Sequence, residues 1–424
     1  MADGLGRAKR FRHELFPEGP ALVFLADTIV ADLLAYEEKS GIRQRRRRPA
    51  DHVAMVNTVY VITANLAHLA LYAERPEEGL LLPTGHARGK QAGPHKSYGK
   101  DLRAVLEGLA AIGVLTLLEP ANRRQPSAIS PTEAFRLSVS DAGIFGGDVG
   151  RRNSVSRLRL SRKQKDGSRD YVPIPDSPEA FTLLCEVDQI NGGLSCADIT
   201  FVGNAPVDVW DRWMVRHFSH PTGVDAPSLN YGGRLYGGFW QNMRKDQRHH
   251  IRINGEPVVE LDYGQVFPRL AYAMAGAVSP PEGEDLYYLP ELVMEVGERH
   301  RDGIKRGFNA LLWGAGRWND EITALLPRSW PASRFRKALA TRHPAIAGLL
   351  SRERISGYLL SRLESDIIVA VVLACMGQGI TALPIHDAVL VPASALSCVM
   401  EIMTSTSQVV AGATLPVTHK SCPS

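Results

Sequence analysis

The sequence predicts an α+β protein built from more than one unit, and three observations predict it. The chain has 424 residues, more than a single small binding module needs. Its first third mixes apolar residues at helical spacing with short β-rich arms. Further on, two aspartates, Asp262 and Asp387, each stand where a β-rich run ends. At roughly 100 to 200 residues per domain, such a chain buries a core without covalent staples.

Composition narrows the class only a little. The formal net charge is +4, from 49 Lys and Arg against 45 Asp and Glu, so the total says little about partners. The basic residues are clustered, however, at 43–48, 151–165 and 244–252. Such stripes suit a phosphate backbone, and equally a solvated face. Five cysteines in no paired or metal-ligand spacing lead to the expectation of a reducing, cytoplasmic setting. Residues 1–16 lack the apolar core of a secretion signal, and the longest apolar run, 367–376, is about half a bilayer span, so no membrane role is expected.

Taken in order, residues 51–73 place Val53, Val56, Val59, Ile62, Leu66 and Leu69 at helical spacing and predict a helix. A Gly, Pro and Lys-rich loop comes next at 85–96, then a second helix over 98–112 ending at Gly113. Residues 114–118 and 134–139 are expected to pair as strands around the basic, proline-containing turn 122–131. That order fits a winged-helix-like module that binds nucleic acid, and it fits an ordinary α/β packing domain as well. Residues 151–170 are basic and turn-rich, and 176–191 return to helix at the Ser177-Pro178-Glu179 start signal.

The chemistry-bearing elements lie beyond residue 230. In Val258-Val259-Glu260-Leu261-Asp262-Tyr263-Gly264-Gln265 the apolar alternation stops at Asp262, which puts a carboxylate on the rim of a sheet. In residues 382–392 two short arms flank His386-Asp387, presenting a second carboxylate at strand ends. Paired carboxylates are what transfer of a nucleotidyl group needs: two cations about 3.5 to 4 Å apart, one activating the attacking 3′-hydroxyl and the other stabilising the leaving diphosphate. Magnesium suits the pair because it keeps few protein ligands and fills its octahedron with phosphate and water; manganese is the expected substitute. Between the two carboxylates, Arg301, Lys305, Asn309 and Trp313 recur every four residues along one helix face. Two cations there suit a triphosphate and the indole a base, although an amphipathic surface helix has the same pattern.

Carboxylate strand, basic helix and His-Asp hairpin, in that order, resemble the family A DNA polymerases and their relatives, the single-subunit RNA polymerases of phages and mitochondria. That family's first motif ends in Asp-Tyr-Ser-Gln, which Asp262-Tyr263-Gly264-Gln265 matches with Gly for Ser. Its second has Arg, Lys four later and an aromatic-Gly pair, as in Arg301, Lys305 and Trp313-Gly314. Its third is His-Asp between apolar arms, as in His386-Asp387. Upstream, Gly233-Arg234-Leu235 and Gln241-Asn242 resemble the segment that contacts the primer end. The likeness covers residues 155–392.

The resemblance implies a right-hand architecture: an antiparallel palm sheet with helical fingers and thumb. It divides the chain into an N-terminal accessory module (1–150), a thumb-like segment (151–228) and a palm (229–424) with fingers inserted at about 285–357. It implies a primer-extending DNA polymerase acting on primer-template DNA and nucleoside triphosphates. Asp262 and Asp387 would hold two Mg2+ ions, with Tyr263 beside them; Lys305 would be catalytic. The nucleotide would meet Arg301, Lys305, Asn309, Trp313, Phe267 and Tyr263. Arg234, Gln241, Asn242 and His386 would face primer or template, with a purely structural role equally open for His386. Asn309 departs from the ring that DNA polymerases place there. Phe267 replaces a family glutamate and resembles an aromatic gate that clashes with a 2′-hydroxyl, which favours deoxynucleotides. Glu364 and Asp366 are open to a place as an auxiliary ligand near the site, but surface salt bridges are the expectation. No Asp-x-Glu exonuclease signature stands in residues 1–150. The rivals are a single-subunit RNA polymerase or primase, and a degenerate palm that only binds nucleic acid.

Overall fold

The structure, a computed structural model, describes residues 9–73, 78–82, 102–118, 127–151, 157–164, 168–296, 300–350 and 355–420. The chain divides into two compact units, Met1–Ser156 with Asn204–Trp210, and Arg157–Gly203 with Asp211–Ser424. Helix and strand are mixed in both.

In the first unit the order is β1 (Lys9–Arg10), β2 (Leu15–Pro17), α1 (Pro20–Lys39), α2 (Pro49–Tyr72), β3 (Leu80–Leu82), α3 (Leu102–Ala111), β4 (Leu115–Leu118), β5 (Ser127–Pro131), α4 (Glu133–Asp141) and β6 (Val149–Arg151). Four strands form a sheet in the order β1-β3-β5-β4, and β2 pairs with β6. A proline opens each of α1 and α2, where its missing N–H costs nothing. The interior of α2 is the centre of this core, with Val59, Leu66 and Leu69 fully buried. By length and composition α2 is apolar enough to cross a bilayer, although Asn57, Asn65 and His68 leave it no long unbroken apolar run; 61% of its most apolar window is buried inside the protein.

One expected strand is corrected. Residues 134–139 belong to helix α4, and the partner of β4 is β5, just before it. Thr132 caps α4 by accepting a hydrogen bond from the Phe135 amide at 3.1 Å, and Phe135 and Val139 bury one helical face. The loop expected at 85–96 lies outside the described residues, as do residues 122–126 of the expected basic turn.

The second unit begins with β7 (Leu158–Lys163), β8 (Arg169–Val172), α5 (Pro178–Cys196), β9 (Ile199–Phe201), β10 (Met214–Ser219), β11 (Gly232–Gly237) and the short α6 (Phe239–Asn242). Next come β12 (Ile251–Ile253), β13 (Glu256–Tyr263), α7 (Val266–Met274), α8 (Pro290–Val296), α9 (Arg301–Leu312), α10 (Asp320–Leu325) and α11 (Ala332–Arg342). The chain closes with α12 (Ile355–Gly377), β14 (Leu383–Ile385), β15 (Ala388–Pro392), α13 (Leu396–Ala411) and β16 (Val417–Lys420). One sheet runs β11-β10-β7-β8, so strands from both sides of residue 228 share it, and the segment expected as a separate thumb is hydrogen-bonded to β11 of the expected palm. The other sheet runs β14-β15-β13-β12-β9, with β16 on β13 as well. The expected fingers segment between α7 and α12 has only helices as its regular elements among the described residues.

Candidate active site

Strand β13 is the axis of the site. Its antiparallel register with β15 sets Asp262 opposite Ala388, and on its other edge the register with β16 sets Asp262 opposite Thr418. Asp387 occupies the tip of the β14–β15 hairpin, next to His386, whose backbone is left-handed with φ 53°. The Tyr263 amide donates to the Asp387 carbonyl at 3.1 Å, fixing the two aspartate-bearing ends side by side. Burial, and then the charge of Asp387, push the Asp262 carboxyl up to about 6, against the ammonium of Lys420. Asp262 Oδ2 is ion-paired with Lys420, while Oδ1 is buried without a hydrogen-bond partner.

The pleat decides which neighbours share that face. Alternation along β13 puts Glu260 with Asp262, and Leu261 with Tyr263. The Tyr263 side chain is therefore buried on the other side, where its hydroxyl donates to the Met403 carbonyl at 2.6 Å. The Tyr263 ring, expected beside nucleotide and metal, thus lies on the face away from the Asp262 side chain, and only its main chain stays on the rim.

Arg234, on β11, donates from Nε and Nη2 to Glu364 of α12 at 2.7 and 2.8 Å. Glu364 is 1% exposed, so the expected surface salt bridge is a buried one. Burial raises its carboxyl to about 7, and the charges of Asp387 and Asp262 add to the rise against Arg234. Asp366 turns instead to Arg216 and Arg362. The Arg234 guanidinium also lies 5.6 Å over the ring of Phe267, so the candidate sugar gate borders the same cluster.

Gln265 comes after β13 in the left-handed region, φ 54°, and joins β13 to the helical segment: its Oε1 accepts from the Leu286 amide at 2.6 Å and its Nε2 donates to the Glu284 carbonyl at 3.0 Å. In that loop Asp285 takes two hydrogen bonds from Arg301, at 2.7 and 3.0 Å, at the start of α9. Arg301 lies 5.6 Å over the Tyr287 ring. Burial, then the charge of Asp387, raises the Tyr287 phenol. One turn on, Lys305 is exposed and makes no ion pair among the described residues. Asn309 has a buried Oδ1 without a partner.

Trp313 ends α9 and packs edge-on against Tyr358 at 4.7 Å. Both line a cleft of about 270 Å³ with Lys163, Arg169, His217 and Arg234. Among the described residues no acidic side chain lines it. Tyr236, also in its wall, meets His386 edge-on at 5.7 Å and so joins the cleft to the hairpin tip.

Of the two expected primer contacts on α6, one is engaged elsewhere. Gln241 is saturated within the fold, donating to the Pro384 and Leu235 carbonyls at 2.8 and 3.2 Å and accepting from the Gly237 amide. It positions the hairpin. Asn242 is exposed at the end of α6, with no hydrogen bond among the described residues. Sequence reasoning missed Lys420 and Glu260, whose side chains meet across the β13–β16 ladder at 3.5 Å.

Among the described residues no group of three or more His, Cys, Asp or Glu side chains is placed to hold a metal. An ion held by Asp262 and Asp387 would thus keep most of its coordination outside the protein, which fits magnesium. The buried Oδ1 of Asp262, which has no hydrogen-bond partner among the described residues, fits a cation too.

No protein-family model and no curated protein matches the sequence. Among solved structures the chain is similar to the POL domain of Pol1 from M. smegmatis, in complex with DNA primer-template and dNTP, at 10% identity and a TM-score of 0.33. The alignment covers 96% of this chain and 66% of that one. A likeness at that score carries no inference about chemistry, which rests here on the residues themselves.

Proposed function

We propose that the chain is a template-directed nucleotidyltransferase that adds deoxynucleotides to a primer 3′ end. The observation that carries this is the meeting of Asp262 and Asp387 at adjacent strand ends, with one carboxylate oxygen of Asp262 buried and, among the described residues, without a hydrogen-bond partner. These two side chains would hold the magnesium ions. When bound, the ions supply activation of the attacking hydroxyl and charge stabilisation at the leaving diphosphate.

The remaining roles belong to the chain. Lys305, exposed on α9 and without an ion pair among the described residues, meets the triphosphate and serves as the catalytic cation; Arg301 joins it after exchanging Asp285 for phosphate. The acid-free cleft takes a nucleic-acid strand, with Lys163, Arg169 and Arg234 toward phosphates and Trp313 toward a base. Phe267, held against Arg234, excludes a 2′-hydroxyl. The order α2, β3, α3, β4, β5, with β5 between β3 and β4, supports a winged-helix reading of the first unit, and the exposed Arg45, Arg46 and Arg48 support nucleic-acid binding there.

One observation favours a second reading, ribonucleotide polymerisation by an RNA polymerase or primase: the unpartnered Oδ1 of Asn309 would accept a hydrogen bond from a 2′-hydroxyl. Primer extension with magnesium tests both. Asp387→Ala should lose several kcal/mol of transition-state stabilisation, about a thousandfold in rate. Equal activity in that variant removes Asp387 from the mechanism, and wild-type use of ribonucleotides alone establishes the second reading.

A further inference from the structure

Lys420 belongs to none of the sequence motifs, yet it is the cation that touches Asp262. Strand β16 hydrogen-bonds to β13 with Lys420 opposite Glu260 and Thr418 opposite Asp262. The Thr418 hydroxyl donates to the Asp262 carbonyl at 3.1 Å and locks that register. From there the Lys420 ammonium reaches diagonally to Asp262 Oδ2 and lies 3.5 Å from Glu260 Oε1.

Glu260 has a second cation, since Arg248 lies 3.5 Å from its other oxygen. Among the described residues Asp262 has only Lys420. Lys420 therefore answers to Asp262 more than to Glu260. Its side chain is 41% exposed, so the head can withdraw into solvent without breaking the core.

We propose that Lys420 is a built-in competitor for divalent cations at Asp262, so that a metal ion binds the site tightly only in company with a triphosphate. Two cations cannot share one carboxylate at close range without mutual repulsion, and the repulsion is large where burial reduces screening. A triphosphate adds negative charge beside the ion and tips the competition toward it. By linkage, the metal in turn tightens the triphosphate. The consequence is a chain that holds divalent ions weakly until a nucleotide arrives. This inference rests on the proposed carboxylate pair.

The test is calorimetric titration of the full chain with Mn2+ alone, without nucleotide or DNA, at one pH. Lys420→Met and Lys420→Gln are expected to bind Mn2+ about tenfold more tightly than wild type, and Lys420→Arg, which keeps the charge, within threefold of it. Wild-type or weaker affinity in the neutral variants, or a tenfold gain in the arginine variant, overturns the proposal. Asp387→Asn separates the two layers. If it weakens Mn2+ while the Lys420 variants change nothing, the carboxylate pair stands and the competitor falls. If it changes nothing, the carboxylate site falls and the competitor with it.

Discussion

Arg234 and Glu364 form a two-bond ion pair, at 2.7 and 2.8 Å, between the strand β11 and the long helix α12, and the carboxylate is 1% exposed. Such a pair stabilises less than its geometry suggests, because both charges lose water, but removing one partner leaves a buried charge uncompensated. At pH 8, where the Glu364 carboxyl is charged, Arg234→Ala should therefore destabilise the chain by about 3 kcal/mol or more in urea unfolding. Arg234→Met combined with Glu364→Met should recover most of that loss. If the double variant is no more stable than the single one, the pair is not the source of the penalty.

Phe267 is placed by its contact with Arg234, 5.6 Å from guanidinium to ring centre. Sugar exclusion by a ring is steric and needs only that one bulky group. Phe267→Ala should raise the efficiency of ribonucleotide incorporation relative to deoxynucleotide by at least about tenfold, with deoxynucleotide use changing less. Steady-state incorporation of the two sugars on one primer-template measures it, and an unchanged ratio removes the gate.

The cleft makes a prediction about salt. Lys163 and Arg169 border it without acidic company, so each should add about one released counterion on binding DNA. Replacing either by alanine should lower the slope of log affinity against log salt by about one. Trp313→Ala should cost about 1 to 3 kcal/mol of single-strand affinity with little effect on that slope, because stacking carries no charge. Fluorescence anisotropy at several salt concentrations separates the two signatures.

How much is legible in the sequence depends on how local each signal is. Helix α2 and the start of α5 are readable because spacing and the Ser177 cap are contained within a few residues. The two strand-end aspartates are readable for the same reason. Residues 134–139 read as a strand because a short apolar run looks alike in both states, and the Thr132 cap that decides it precedes the run. The motif alone gives Tyr263 a place beside the metals, although two-residue alternation along β13 already puts it with Leu261, away from Asp262. Neither the burial of Glu364 nor the contact of Lys420 with Asp262 is legible at all. Their partners stand 130 and 158 positions away, and nothing local distinguishes a buried charge from a solvated one.

The pH dependence of stability is set by the raised carboxyls. In the folded chain Asp262 titrates at about 6 and Glu364 at about 7, both above their ordinary values of 3.8 and 4.5. The folded state thus holds those protons more tightly than the unfolded state. Stability associated with these groups is present at low pH and declines as pH rises, between about 4 and 6 for Asp262 and between about 4.5 and 7 for Glu364. His217 acts in the opposite sense: burial, then Arg169 and Arg159, lower it to about 4, so it destabilises the fold as pH falls below its ordinary 6.5. The wild-type profile mixes these contributions, and only differences between variants isolate them. In EDTA, Asp262→Asn and Glu364→Gln should each gain stability over wild type on going from pH 4.5 to pH 8, by about 2 kcal/mol and about 3 kcal/mol respectively from the size of the shifts. Magnesium added together with a triphosphate should close the gap at pH 8 for Asp262→Asn alone, because an ion held by wild-type Asp262 compensates the charge that the buried carboxylate carries there. A stability difference independent of pH in both variants would mean that neither carboxyl is raised in the folded chain.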